Sequence, residues 1–179
     1  MSISQIRDGT SNTIAMADRI CQAQVSAPRD PISAPSGTEY VLAIAIGVSG
    51  IRSSPVNCYS VTVGKYYQPG TPIKGLFGRN WVDGQPTYVG FNTVLPPNGP
   101  SCSEDSTAWG DQRHLVIPPT SRHPGGVNTL FADGSVRFIT ETIDTGNLAV
   151  GQPDNGPSNY GVWGALGSKE GGEAAQYTR

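Results

Sequence analysis

The side chains able to do chemistry are few and widely spaced. The two histidines, His114 and His123, each follow an arginine, and the three cysteines stand at 21, 58 and 102. His123 lies ten residues before Asp133 and two after Ser121. A hydrolytic reading would join that imidazole and carboxylate to a hydroxyl from Ser121 or Ser135. No G-x-S-x-G elbow accompanies them. The cysteines form no C-x-x-C pair, and with two distant histidines they do not have the spacing of a zinc site. Aspartates at 8, 18, 83, 105, 111, 133, 144 and 154 fall in loops or at strand ends without the D-x-D-x-D run of a calcium loop. Gly125-Gly126 has no adjoining lysine and no following helix, so it is not a phosphate loop. The pairs Arg113-His114 and Arg122-His123 could take an anion, but a solvated loop is the simpler reading. No metal, no cofactor and no catalytic residue is expected.

The elements that would hold these residues decide most of these cases. Residues 127–132 and 135–140 are β-rich runs flanking Asp133-Gly134, which predicts a hairpin closed by a two-residue type I′ turn. In that register Phe131 faces Val136, Thr129 faces Phe138 and Val127 faces Thr140. The buried face is then Val127, Thr129, Phe131, Val136 and Phe138. His123 lies at the open end, roughly 17–20 Å from Asp133 at about 3.3 Å per residue, too far to share a proton. On this reading His123, Gly125, Gly126, Asp133 and Gly134 are structural. Gly134 supplies a positive φ, Gly125 and Gly126 bend the chain into the first strand, and His123 ties that bend to a backbone carbonyl or to Asp111. Elsewhere, 40–48 reads as a buried strand, 12–17 as a strand, and 26–38 as a proline-rich loop. A short helix is expected near Pro55, and 88–95 reads as an alternating strand that stops at Pro96-Pro97.

Composition bounds the rest. The chain has 179 residues with 23 Gly and 15 Pro, and its charged fraction of 15% compares with an average of roughly 25%. That excludes a coiled coil and favours one loop-rich domain over 1–179, mainly β (α+β), built as an antiparallel sheet with short helices and long Gly/Pro-rich loops. Residues 1–2 read as an addition and 168–179 as a mobile tail. A net charge of -2 without a basic run argues against nucleic acid. The longest apolar run, 41–48, is far short of the roughly 20 residues of a membrane span. No charged-then-apolar leader opens the chain, which implies a cytoplasmic protein or a mature fragment with an added Met1. The cysteine count allows one disulfide with a free thiol, or three buried thiols.

Residues 123–134 read H-P-G-G-V-N-T-L-F-A-D-G, a histidine, nine residues and Asp-Gly. This resembles the H-X9-DG motif of a large bacterial family of unknown function with prepilin-type N-termini. Three further segments resemble the same family, in the same order: I-R-D-G-T-S-N-T-I at 6–14, F-N-T-V-L-P-P-N-G-P-S-C at 91–102, and G-V-W-G-A-L-G at 161–167 followed by Gly171-Gly172-Glu173. Members of that family begin with a prepilin leader, a long apolar helix and an early head segment. The resemblance therefore implies a C-terminal fragment, a chain freed of its helix, or a stand-alone variant. It implies a pseudopilin-like globular head, exported to the cell surface or periplasmic side. Its implied partners are other pilin-like subunits or cell-surface components, with a structural role in a surface filament. It also implies that Cys58 pairs with Cys102 and leaves Cys21 free. The rival expectation is an extracellular glycan- or peptide-binding module on the aromatic loops at 64–91. That module would use Tyr66, Tyr67, Trp81 and Tyr88 and would need those rings exposed in one concave patch.

Overall fold

Frequent glycine and proline cut the chain into short elements. The computed structural model describes residues 2–21, 31–78, 80, 82–106 and 114–173. Among them the strands, in chain order, are β1 (Ile14–Ala17), β2 (Ile32–Ser33), β3 (Ile44–Ala45), β4 (Thr62–Val63), β5 (Tyr66–Tyr67), β6 (Pro72–Lys74), β7 (Ser101–Ser103), β8 (Leu115–Val116), β9 (Gly126–Phe131) and β10 (Val136–Thr140). Two short α-helices, α1 (Pro86–Val89) and α2 (Gly161–Leu166), and several 3-10 turns complete them. The strands form a three-stranded sheet in the order β1-β9-β10, a five-stranded sheet β2-β6-β3-β7-β8, and the pair β4-β5. All pairings are antiparallel except β3 with β7. The fold is thus mainly β with short helices, as composition implied.

The hairpin β9-β10 forms, but not in the expected register. Val136 pairs with Leu130, Arg137 with Thr129, Phe138 with Asn128 and Ile139 with Val127. The loop has three residues. Gly134 N–H donates to the Phe131 carbonyl at 3.0 Å, Phe131 N–H donates to the Ser135 carbonyl at 2.8 Å, and only Gly134, at φ 87°, is left-handed. This is a type I turn followed by a glycine bulge, and Asp133 keeps a negative φ. One residue of slip turns β10 over. Ile139, fully buried, takes the core position expected of Phe138, and Val136 is 63% exposed. Val127, Thr129 and Phe131 stay inside.

Two other expected strands shrink. In 40–48, Tyr40–Leu42 is a 3-10 turn and Gly47 has φ 70°, so only Ile44–Ala45 pairs as a strand. In 88–95 the chain starts instead as α1, because Pro86 occupies the first helical turn with its φ already set. The helix expected near Pro55 is a 3-10 helix, Pro55–Val61.

The core divides into three clusters. One surrounds Cys58 and Cys102 with Ala45, Ile51, Tyr67, Ile73 and Leu95. A second lies under the hairpin, where Ile14, Val127, Phe131 and Ile139 meet Trp163 and Leu166 of α2. The third holds Ile44, Leu76, Phe77, Tyr88 and Ile117. Strand alternation sends Ile44 and Ala45 to opposite faces and hence to different clusters, so the five-stranded sheet is covered on both sides. Cys58 and Cys102 are bonded, with Cα atoms 5.8 Å apart, and tie the 3-10 helix to β7. Cys21 is free and exposed. No helix among the described residues is long and apolar enough to cross a membrane.

Candidate functional site

The open end of the hairpin is assembled by backbone groups that need partners where the chain leaves one element for the next. Asn98, left-handed at φ 60° after Pro96-Pro97, projects its amide into the bend before β9. Its Oδ1 accepts from Ser121 N–H at 2.7 Å, and its Nδ2 donates to Glu141 Oε1 at 2.7 Å and, more weakly, to the Gly126 carbonyl at 3.4 Å. Ser121 Oγ donates to the same Gly126 carbonyl at 2.8 Å and accepts from His123 N–H at 2.9 Å. Gly125, at φ 79°, makes the bend, and its carbonyl accepts from Glu141 N–H at 2.9 Å. Gly126 is required for a different reason. A Cβ there would collide with the Ile139 carbonyl and lie 2.8 Å from the Phe138 ring, which rests on the glycine.

His123 itself points outward. Its side chain is 57% exposed, and Nε2 stands 3.7 Å from Asp18 Oδ2, beyond hydrogen-bond reach. The partner is thus Asp18. Asp111, the expected one, lies outside the described residues. Asp18 is the better-anchored member, accepting from Asn128 N–H at 2.8 Å and Asn128 Nδ2 at 3.2 Å. The Ser121 hydroxyl proton is spent on a carbonyl rather than on the imidazole. Asp133 is at the far end of the hairpin, where its carboxylate accepts from Ser135 N–H at 2.8 Å and faces Arg137 at 3.9 Å. That backbone bond, chiefly, holds its carboxyl below the usual carboxylate range. His123, Ser121 and Asp133 are therefore not brought together. Among the described residues no group of three or more His, Cys, Asp or Glu is placed to hold a metal.

A cleft of about 400 Å³ opens beside His123. One wall is Glu39, Tyr40, Val41 and Lys65; the other is Asn98, residues 121–125 and Glu141. Arg122 reaches across to Glu39 at 2.5 Å. Tyr40 is half-buried, and burial together with nearby Glu141 pushes its phenol up from the usual range. None of Glu39, Tyr40, Lys65 and Glu141 was legible as a site residue, because no local pattern joins positions 39 and 65 to 98, 122 and 141. Asn98 did fall inside a segment carrying the family resemblance, and the Pro-Pro-Asn-Gly sequence marks a turn.

The described aromatic-loop residues, Tyr66, Tyr67 and Tyr88, do not form a patch. Tyr67 is fully buried, with its hydroxyl 2.6 Å from the Ser101 carbonyl, and burial pushes its ionisation up. Tyr88 is buried in another cluster, Tyr66 is exposed, and Trp81 lies outside the described residues. Another partly buried residue is Arg19. It stacks 3.2 Å over the Phe77 ring, donates to the Pro118 carbonyl and reaches Ser101 Oγ at 3.3 Å. Burial draws its pKa down to about 9, which leaves it a cation at neutral pH.

The four segments that carry the family resemblance bond to one another. Asp8 accepts from Gly171 N–H at 2.8 Å and Gly172 N–H at 3.0 Å. The carbonyls of Thr10 and Thr13 accept from Asp133 and Ala132 N–H. Asn98 meets Gly126, and Trp163 Nε1 donates to the Leu95 carbonyl. The described part of the expected tail, 168–173, is held by the Asp8 contacts and by Ser158 N–H donating to Glu173. A family model described as protein of unknown function (DUF1559) matches residues 1–146. No curated protein and no solved structure matches the chain.

Proposed function

This chain belongs to the bacterial family of proteins of unknown function DUF1559, and we propose that it is a structural, non-catalytic extracellular head domain of a pilin-like protein, displayed on or assembled into a surface filament. The observation that carries this reading is where the motif residues spend their polar groups. Asp8, Asn98 and Trp163 bond to backbone of other segments, and Ser121 and Asp133 to backbone within their own bend and turn, so all five hold the fold together, whereas catalytic groups converge on a reacting atom. The buried Cys58–Cys102 bridge supports an oxidising compartment. The H-X9-DG motif is on this view a folding signature. Its Asp-Gly closes the hairpin turn, its two glycines make the bend and the seat for Phe138, and its histidine stands beside Asp18.

Immunogold labelling of intact host cells, with cross-linking of neighbours, tests the proposal. The expected result is label on the cell surface or on filaments, sensitivity to external protease, and adducts with other pilin-like subunits. Label confined to the cytosol would overturn it. So would turnover of any substrate that His123→Ala abolishes while the protein stays folded.

A further inference from the structure

We propose that the cleft at the open end of the hairpin is a binding site for a short neutral saccharide. Its volume, about 400 Å³, is within the range of small-ligand sites. Its walls are pre-set by the Asn98–Ser121–Gly126 hydrogen bonds on one side. On the other, Tyr40 packs edge-on against buried Tyr67, with ring centres 6.4 Å apart. A site held in place this way loses little freedom on binding.

The polar groups left over define the ligand. Tyr40, Lys65 and Glu141 line the cleft, and the Tyr40 hydroxyl, Lys65 Nζ and the second carboxylate oxygen of Glu141 have no hydrogen-bond partner among the described residues. By type they are a donor-acceptor, a donor and an acceptor. Charge in the cleft is mixed and partly self-compensated, since Arg122 is paired with Glu39. An anion would meet Glu39 and Glu141, and a cation would meet Lys65 and Arg122. A hydroxyl can accept from an ammonium and donate to a carboxylate, so a polyhydroxylated neutral molecule suits Lys65, Glu141 and Tyr40 without opposing either sign. This site is separate from the aromatic loops at 64–91, apart from Lys65, and it stands whether or not the protein joins a filament.

The test is an NMR titration of the isotope-labelled chain with cellobiose, maltose and N,N′-diacetylchitobiose, with inorganic phosphate and putrescine as charged probes. At least one saccharide is expected to shift the amides of Asn98, Ser121 and Gly125 with a Kd on the order of 1 mM. Tyr40→Phe and Lys65→Ala, both on the cleft surface, should each weaken it about tenfold with the remaining spectrum unchanged. The proposal fails if all three saccharides leave those amides unmoved, if both variants bind as the parent does, or if phosphate or putrescine shifts them more strongly at equal concentration. Surface labelling on cells reads the filament proposal separately.

Discussion

The indole Nε1 of Trp163 donates a hydrogen bond to the carbonyl of Leu95 at 2.8 Å, and both residues are fully buried. Leu95 belongs to the cluster around the disulfide and Trp163 to the cluster under the hairpin, so this bond links the two clusters. Trp163→Phe removes the donor, leaves a buried carbonyl unpaired and opens a cavity. The expected cost is about 2–4 kcal/mol, read from urea unfolding. A loss below about 0.5 kcal/mol would show that the two cores do not depend on this bond.

The adjacent glycines of the bend should respond differently to alanine. Gly125→Ala meets no atom within 4 Å and carries only the strain of a positive φ, about 1–2 kcal/mol. Gly126→Ala drives a Cβ against the Ile139 carbonyl and the Phe138 ring, and is expected to cost more, up to about 3 kcal/mol. Thermal melts of the two variants check the order; Gly125→Ala melting lower would contradict it.

Cys21 is expected to react with an aromatic disulfide reagent in the folded, unreduced protein, while Cys58 and Cys102 react only after reduction and unfolding. Replacing both bridged cysteines with alanine opens a loop of 44 residues and should cost about 3–4 kcal/mol in the chain-entropy account. Quantifying thiols before and after reduction, followed by denaturant titration of the variant, reads both.

His123 and Asp18 should contribute unequally. His123→Ala breaks only a long, solvent-exposed pairing, and at most about 1 kcal/mol is expected. Asp18→Ala strips an acceptor from two Asn128 donors, for about 1–3 kcal/mol. Equal effects in urea titrations would mean that the histidine holds the bend by a contact other than this one.

Acid should weaken the turn through Asp133. Its carboxyl is held below the usual range by Ser135 N–H, so the folded form prefers the ionised group. The stabilisation is complete above the unfolded value of about 3.9 and is lost as pH falls through the lower folded value. Asp133→Asn keeps an oxygen acceptor at every pH, so its melting temperature should fall less steeply below about pH 4 than the parent's. Superimposable pH profiles would remove Asp133 as the source.

The hairpin was legible in the sequence because β-rich runs flanked Asp-Gly, but its register was not. Asp-Gly suits both a two-residue type I′ loop and a three-residue loop with a glycine bulge, and the choice between them decides whether Phe138 or Ile139 is buried. The apolar run at 40–48 overstated its strand, since periodicity does not show that Gly47 will turn left-handed after two paired residues. Asp133 as a turn residue and Gly134 at positive φ could be read directly, being local matters of turn chemistry. The cleft could not, because Glu39, Lys65, Asn98 and Glu141 are joined only by the packing of distant segments.

The contacts between residues 7–8 and 169–172 make the described chain nearly a closed ring. Tension entering before residue 7 and leaving after residue 172 meets this latch first. The five-stranded sheet lies off the loaded path until the latch opens. Beyond that point the Cys58–Cys102 bond withholds a 44-residue segment from extension, so the molecule would lengthen under pull in stages and stop short of its full contour.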